Sequence, residues 1–391
     1  MAGVRKLMTF EFATATRIVF GWGAADRIGP EAAALGRHAF VLTGAQPHRS
    51  IPLLRQLENH HVRHTSTRVA GEPTTDMVVS AARLASDSGC DLVIAIGGGS
   101  AIDTGKVVAA LLTNGGDLAD YLEVVGSGRP LSCMSAPFIA VPTTAGTGAE
   151  VTRNAVIESS VHRVKVSMRS PFMLPRLALV DPQLTVSMPA ALTAATGLDA
   201  LTQLLEAFVS RNANPLTDAI CREGLSRTAR SLWPAVCNGK DRTAREDMCI
   251  ASLFGGLALA NARLGAVHGI AGPFGGRFKA PHGAVCGRLL PFATAVNIAA
   301  LRERAPDSPA LARLREAACI LTGSPSVDAD DAGTWLRDLC SRLAIPPLSA
   351  YGYSPEHSST LITDSMRSSS MRGNPIDLTQ AELLSILDKA M

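Results

Sequence analysis

The chain has 391 residues, too many for one compact core, so two domains are expected. A formal charge of +3 with 37 dispersed basic residues argues against a nucleic-acid stripe or a basic membrane-binding face, and leaves a small molecule as the expected partner. The eight cysteines, at 90, 133, 221, 237, 249, 286, 319 and 340, form no C-x-x-C pair and lie mostly in apolar stretches, so they read as reduced packing thiols of a cytoplasmic protein.

Met1 to Phe20 lacks the charged start and apolar run of a signal peptide. No later apolar run reaches the roughly eighteen residues of a membrane helix, so no membrane partner is expected. Up to about residue 186, the apolar runs Ala39–Thr43, Leu92–Ile96, Phe138–Val141 and Leu177–Val180 alternate with helical stretches. That alternation predicts a parallel sheet covered on both faces.

The run Leu92–Ile96 leads into Gly97-Gly98-Gly99-Ser100 and then a helical stretch from Ala101 to Leu112. Glycines there let the backbone approach a pyrophosphate, and the helix start favours anionic oxygens; a plain tight turn is the alternative. Asp103 and Lys106 project from the first helical turns, Asp103 as a ligand contact or a charge favoured by the helix dipole, Lys106 as a ligand contact or a solvated charge. A second polar loop, Pro142 to Glu150, follows the strand ending at Val141. Two such loops at the ends of parallel strands suggest a dinucleotide.

Beyond Pro189 the strand-like runs stop. Amphipathic segments at 190–211, 216–235, 241–263, 308–321, 330–343 and 378–390 predict an all-helical second half. The division gives residues 1–186 as a dinucleotide-binding domain and 187–391 as a helical metal and substrate domain, with a cleft between them.

Asp199 and Gln203 are four residues apart, on one helical face. His268 and His282 share a glycine-rich stretch. Along one unbroken helix they would lie about 21 Å apart, but Gly272-Pro273 and Gly275-Gly276 are expected to end a first helix, and Pro281 to fold the chain back. A carboxylate, an amide oxygen and two imidazoles could then surround Fe(II), Zn(II), Mn(II) or Co(II). A hydrogen-bonded histidine pair stabilising a bend is the alternative.

Taken together, Gly97 to Lys106, Pro142 to Thr152, Asp181-Pro182, Gly197 to Leu201, His268-Gly269, Pro281-His282-Gly283 and Leu290-Pro291 make the chain similar to the iron-containing, or group III, alcohol dehydrogenases. The resemblance runs over nearly the whole chain. It implies a Rossmann-like α/β N-terminal domain and an all-α C-terminal domain, the architecture of dehydroquinate synthase. It also implies NAD(P)(H), a divalent metal with Fe(II) foremost and Zn(II) or Mn(II) next, a homodimer, and interconversion of a small alcohol with its aldehyde or ketone. Carried over by position, the cofactor contacts fall on Gly98, Gly99, Ser100, Asp103, Thr143, Thr144, Thr152, Lys165 and Leu184, and the metal ligands on Asp199, Gln203, His268 and His282.

Three departures stand out. Gln203 occupies a position where the family usually has histidine, which leaves Asp199, His268 and His282 able to hold metal alone, as in relatives resembling glycerol dehydrogenase. Gly272 stands where many members have a proton-transferring histidine, so no side chain is nominated as general acid or base and the proton falls to a bound water or the cofactor ribose. Val41-Leu42-Thr43-Gly44 lacks the aspartate that favours NAD, so NADPH is expected to be accepted, with His48 or Arg49 near its phosphate. A metal-independent reductase resembling maleylacetate reductase is the nearest rival; a lyase of the dehydroquinate synthase type and a non-catalytic nucleotide sensor are further ones.

Overall fold

Every residue of β4 (Leu92–Gly97) and β5 (Phe138–Pro142) is buried, as in strands covered by helices on both faces. They form the middle of a six-stranded sheet in a computed structural model that describes residues 9–159, 161–162 and 164–391; residues 1–8 of the N-terminal stretch considered above lie outside it. The other strands are β1 (Ile18–Phe20), β2 (His38–Thr43), β3 (Arg63–Arg68) and β8 (Leu177–Val180), and all neighbours run parallel in the order β1-β8-β5-β4-β2-β3. β3 was not legible as a strand: its sequence, Arg-His-Thr-Ser-Thr-Arg, is polar because it lies at the sheet edge. A separate antiparallel hairpin, β6 (Asn154–Ser159) with β7 (Val164–Arg169), was also not foreseen.

Among the described residues, the α-helices of this half are α1 (Ile28–Ala33), α2 (Ile51–Asn59), α3 (Thr75–Asp87), α4 (Gly99–Asn114) and α5 (Leu118–Tyr121). From β2 the sheet grows outward to β3, whereas from β4 it grows the other way to β5. The switch point therefore lies at the carboxyl ends of β2 and β4, where a crevice for a ligand opens. There the Gly44 N–H donates to the Ile96 carbonyl at 3.0 Å, bringing the two strand-end loops together.

The second half is helical, as expected: α6 (Ala190–Val209), α7 (Pro215–Cys237), α8 (Arg242–Ala262), α9 (Ala266–Arg277), α10 (His282–Arg304), α11 (Pro309–Thr322), α12 (Asp330–Arg342), α13 (Ser358–Arg367) and α14 (Gln380–Ala390). The six predicted segments coincide with α6, α7, α8, α11, α12 and α14. α6 is buried at every position from Gly197 to Val209, packed among α7, α8, α10 and α11.

Two expectations fail here. Gly272-Pro273 and Gly275-Gly276 do not end a helix, because α9 continues through them to Arg277, held between β7, α10 and α13; the chain reverses only at Phe278–Pro281. α10 is long and apolar enough to cross a membrane, contrary to the reading that no such run exists. However, 78% of its most apolar window is buried inside the fold, as in a central core helix.

Candidate metal and dinucleotide site

The first loop follows β4 directly. Gly98 caps α4 with no side-chain hydrogen bond, so backbone N–H groups rather than a side chain face whatever lies at the helix start. A Cβ on Gly98 would lie 3.3 Å from Thr144 Oγ1, and one on Gly99 only 2.9 Å from Thr147 Cγ2, so the two polar loops touch across the crevice. Thr143 joins them through its N–H, which donates to the Gly97 carbonyl at 2.9 Å. The second loop in turn meets the helical half. Gly148 has φ +59, and a Cβ there would fall 2.5 Å from Gly256 of α8, so only glycine allows this approach.

Of the two readings of Lys106, the solvated charge fails. It is fully buried, and its ammonium donates to Asp103 Oδ1 at 3.1 Å, Thr152 Oγ1 at 2.7 Å and the Asn154 carbonyl at 2.7 Å. Asp103 Oδ2 accepts from the Val156 N–H at 2.9 Å, so Asp103 and Thr152 have their polar atoms engaged in fastening α4 to the hairpin. Burial raises the Asp103 carboxyl and lowers the Lys106 ammonium from their ordinary values, each partly offset by the other's charge. Burial also pushes the nearby Glu150 carboxyl up to about 7.

Lys165 on β7 pairs with Glu72 at 3.0 Å and reaches to 3.2 Å from the Cβ position of Gly275, over the face of α9. Arg49, in the 3-10 turn Pro47–Ser50 that follows β2, donates to the Leu184 carbonyl at 2.5 Å, so two segments remote in sequence meet there.

The second constellation is built on α6, α9 and α10. Asp199, His268, His282 and Cys286 each offer one donor atom, and the four atoms lie within 4.8 Å of one another. His268 Nε2 is 3.3 Å from Asp199 Oδ1, His282 Nε2 is 3.8 Å from the same oxygen, and the two rings are 5.4 Å apart. Glu206, two turns after Asp199 on α6, fixes His268. It accepts from Nδ1 at 2.7 Å and from the backbone N–H groups of Val267 (2.6 Å) and His268 (3.3 Å). With Nδ1 as donor, the Nε2 lone pair of a neutral His268 faces the Asp199 oxygen, acceptor to acceptor, which is stable only with a positive charge between them.

The electrostatics agree. Burial would raise the Asp199 carboxyl, but hydrogen bonding from His268 and the charge of His282 hold it below the usual carboxylate range. Burial opposes charge on His268, yet Cys286, Asp199 and Glu206 lift it well above its ordinary value, and Cys286 likewise raises His282. The pocket calls for positive charge, and a divalent cation fits its donor set of carboxylate, imidazoles and sulfur.

Gln203 differs from the other three residues expected as ligands. Its Nε2 donates to the Thr147 carbonyl at 3.3 Å and its Oε1 is buried without a hydrogen-bond partner; among the described residues no hydrogen bond links it to Asp199, His268 or His282. The reading of the cysteines as buried packing thiols fails at Cys133 and Cys237, which are exposed; Cys286 is buried, and its Sγ lies 3.5 Å from His282 Nε2 and 3.9 Å from His268 Nε2. Two signals could have revealed what was missed: Glu206 follows Asp199 at i+7, and Cys286 follows His282 at i+4. At Gly272 an added Cβ would meet nothing within 4 Å, so the space for a side chain is there without the side chain.

The second strand-end loop of the parallel sheet is thus tied to α6, the helix that carries Asp199 of the donor cluster. The family model described as "Iron-containing alcohol dehydrogenase" matches residues 15–182, and that described as "Fe-containing alcohol dehydrogenase family, C-terminal" matches residues 193–391. Long-chain-alcohol dehydrogenase 1 of Geobacillus thermodenitrificans is 43% identical over 290 residues, covering 71% of this chain and 72% of that relative. The crystal structure of a 1,3-propanediol oxidoreductase superposes with a TM-score of 0.91 at 30% identity, over 98% of this chain and 100% of that one. The alcohol dehydrogenase of Oenococcus oeni follows with a TM-score of 0.89 at 30% identity and the same coverage. The chain belongs to the iron-containing alcohol dehydrogenase family. It is an alcohol oxidoreductase, and the family uses NAD(H) with a divalent metal, typically iron.

Proposed function

We propose that the protein interconverts a small alcohol and its aldehyde or ketone, using a divalent cation held by Asp199, His268 and His282 and either NADH or NADPH. The single observation that carries this reading is the convergence of donor atoms from α6, α9 and α10 within 4.8 Å, with Glu206 fixing the tautomer of His268. When bound, the cation supplies Lewis acidity at the substrate oxygen and the nicotinamide supplies or accepts the hydride.

The chain's own residues do the rest. Gly98, Gly99 and Ser100 at the start of α4 would receive the pyrophosphate, with Thr143 and Thr144 closing over it. Asp103 and Thr152 act at one remove, through Lys106, by holding α4 against the hairpin. Lys165 and Leu184 would flank the cofactor, and Arg49 beside Leu184 offers a charge to a 2'-phosphate. Because position 272 has no side chain, the substrate proton leaves by water or the cofactor ribose.

Chelator treatment should abolish turnover and divalent-cation add-back should restore it, with His282→Ala remaining folded but losing both cation and activity. Full turnover of a metal-free sample would overturn the assignment. Equal-saturation kinetics with strong discrimination in favour of NADH would overturn the cofactor part alone.

A further inference from the structure

The donor set has four members in space, and one is not the residue that sequence position supplies. We infer that the Cys286 thiolate, rather than the Gln203 amide, is the fourth protein ligand of the cation at Asp199, His268 and His282. This rests on the reading above that a divalent cation binds there.

Distances carry the argument. Around a tetrahedral cation with metal–sulfur bonds of about 2.3 Å and metal–nitrogen bonds of about 2.05 Å, a sulfur and a nitrogen ligand lie about 3.6 Å apart, and a nitrogen and an oxygen ligand about 3.3 Å apart. Cys286 Sγ stands 3.5 Å from His282 Nε2 and 3.9 Å from His268 Nε2, and His268 Nε2 stands 3.3 Å from Asp199 Oδ1. With His282 Nε2 3.8 Å from the same oxygen, these approximate the edges of one coordination polyhedron that has still to contract on the cation. A thiol has one proton to donate, so without a cation one of the two imidazoles it touches would have to donate to sulfur, a weak acceptor, whereas a cation among them satisfies every contact at once.

Local structure explains the exchange. His282 and Cys286 are at i and i+4 on α10, so they present imidazole and sulfur on the same helical face. Gln203 donates through Nε2 to the Thr147 carbonyl, while its Oε1, buried without a hydrogen-bond partner, lies 2.7 Å from the Cβ position of Gly255 on α8. It ties the second polar loop to α6.

The Asp199 carboxylate and a Cys286 thiolate would both touch the cation, with the buried Glu206 carboxylate a third acidic group behind His268. On cation binding the sulfur–hydrogen bond breaks, its electron pair forms the sulfur–metal bond and the proton leaves to solvent. Sulfur is a soft ligand, so the site is tilted from Fe(II) toward Zn(II).

Cobalt substitution of the full-length protein tests this. One Co(II) should bind per chain, with a thiolate-to-cobalt charge-transfer band in the near ultraviolet that disappears in Cys286→Ser. The band should persist in Gln203→Ala and in Cys340→Ser, a buried cysteine bonded instead to the Gly287 carbonyl. Competition with a chelator should show Cys286→Ser weakening the cation by more than the roughly 10–100-fold expected for loss of an outer-shell partner. Cobalt bound stoichiometrically without the band, or a band that survives Cys286→Ser, overturns the sulfur ligand while leaving the three-residue site standing. Failure of cobalt to bind overturns both.

Discussion

Replacing Glu206 with Gln substitutes an NH2 group for one acceptor oxygen at a position surrounded only by donors. The three donors are His268 Nδ1–H at 2.7 Å and the N–H groups of Val267 and His268 at 2.6 and 3.3 Å. Whichever way the amide turns, one buried donor faces another, a loss of about 1–3 kcal/mol. Against a total stability of roughly 5–15 kcal/mol the chain stays folded. If His268 instead changes tautomer to accept from the new NH2, its proton moves to Nε2 and occupies the direction in which a cation would be bound.

Either route weakens the cation by about 10–100-fold, equivalent to about 1.4–2.7 kcal/mol. Chelator competition on purified wild type and Glu206→Gln, with thermal melts of the cation-free forms as the folding control, measures both effects. Cation affinity equal to wild type in a folded variant would refute the role given to Glu206 and, with it, the argument that the His268 Nε2 lone pair points at a cation.

Lys106→Met should cost about 3–5 kcal/mol in denaturant unfolding, because it strands the buried Asp103 carboxylate; the double variant with Asp103→Asn should recover part of that loss, and strict additivity would refute the coupling. Glu150, with a folded value of about 7 against about 4.5 when exposed, binds its proton more tightly in the folded chain, so its contribution to stability falls as pH rises from about 4.5 to about 7. At about 1.4 kcal/mol per tenfold difference in proton affinity the decline is about 3 kcal/mol. Glu150→Gln should be free of it, so the advantage of the variant should grow between pH 5 and pH 8; a constant difference in unfolding midpoint would contradict this. Gly99→Val, whose Cβ would already press to 2.9 Å on Thr147, should raise the dinucleotide dissociation constant more than about tenfold while cation content is unchanged; equal loss of both would locate the effect in folding instead.

Local signals were readable without coordinates. The alternation that gave β2, β4, β5 and β8, and the amphipathic periods that gave α6, α7, α8, α11, α12 and α14, depend on neighbours within a few residues. Asp199 stands out by its i, i+4 spacing to Gln203, although it lies in the middle of α6 and not at a helix start, and His282 by its Pro-His-Gly turn. β3 was hidden because an edge strand needs no apolar alternation, and α9 because tertiary packing holds a helix through Gly272-Pro273 where propensity alone would end it.

The sequence by itself determined that two glycine-bearing loops follow parallel strands and that a helical half carries a carboxylate and two histidines. Only the tertiary structure decided which atoms meet. Lys106 became a buried fastener, Glu206 the anchor of His268, and Cys286 instead of Gln203 the neighbour of both imidazoles. The reason is geometric. Periodicity fixes which face of a helix a residue occupies, whereas the packing of α6 and α9 on α10 fixes which faces converge on a single point.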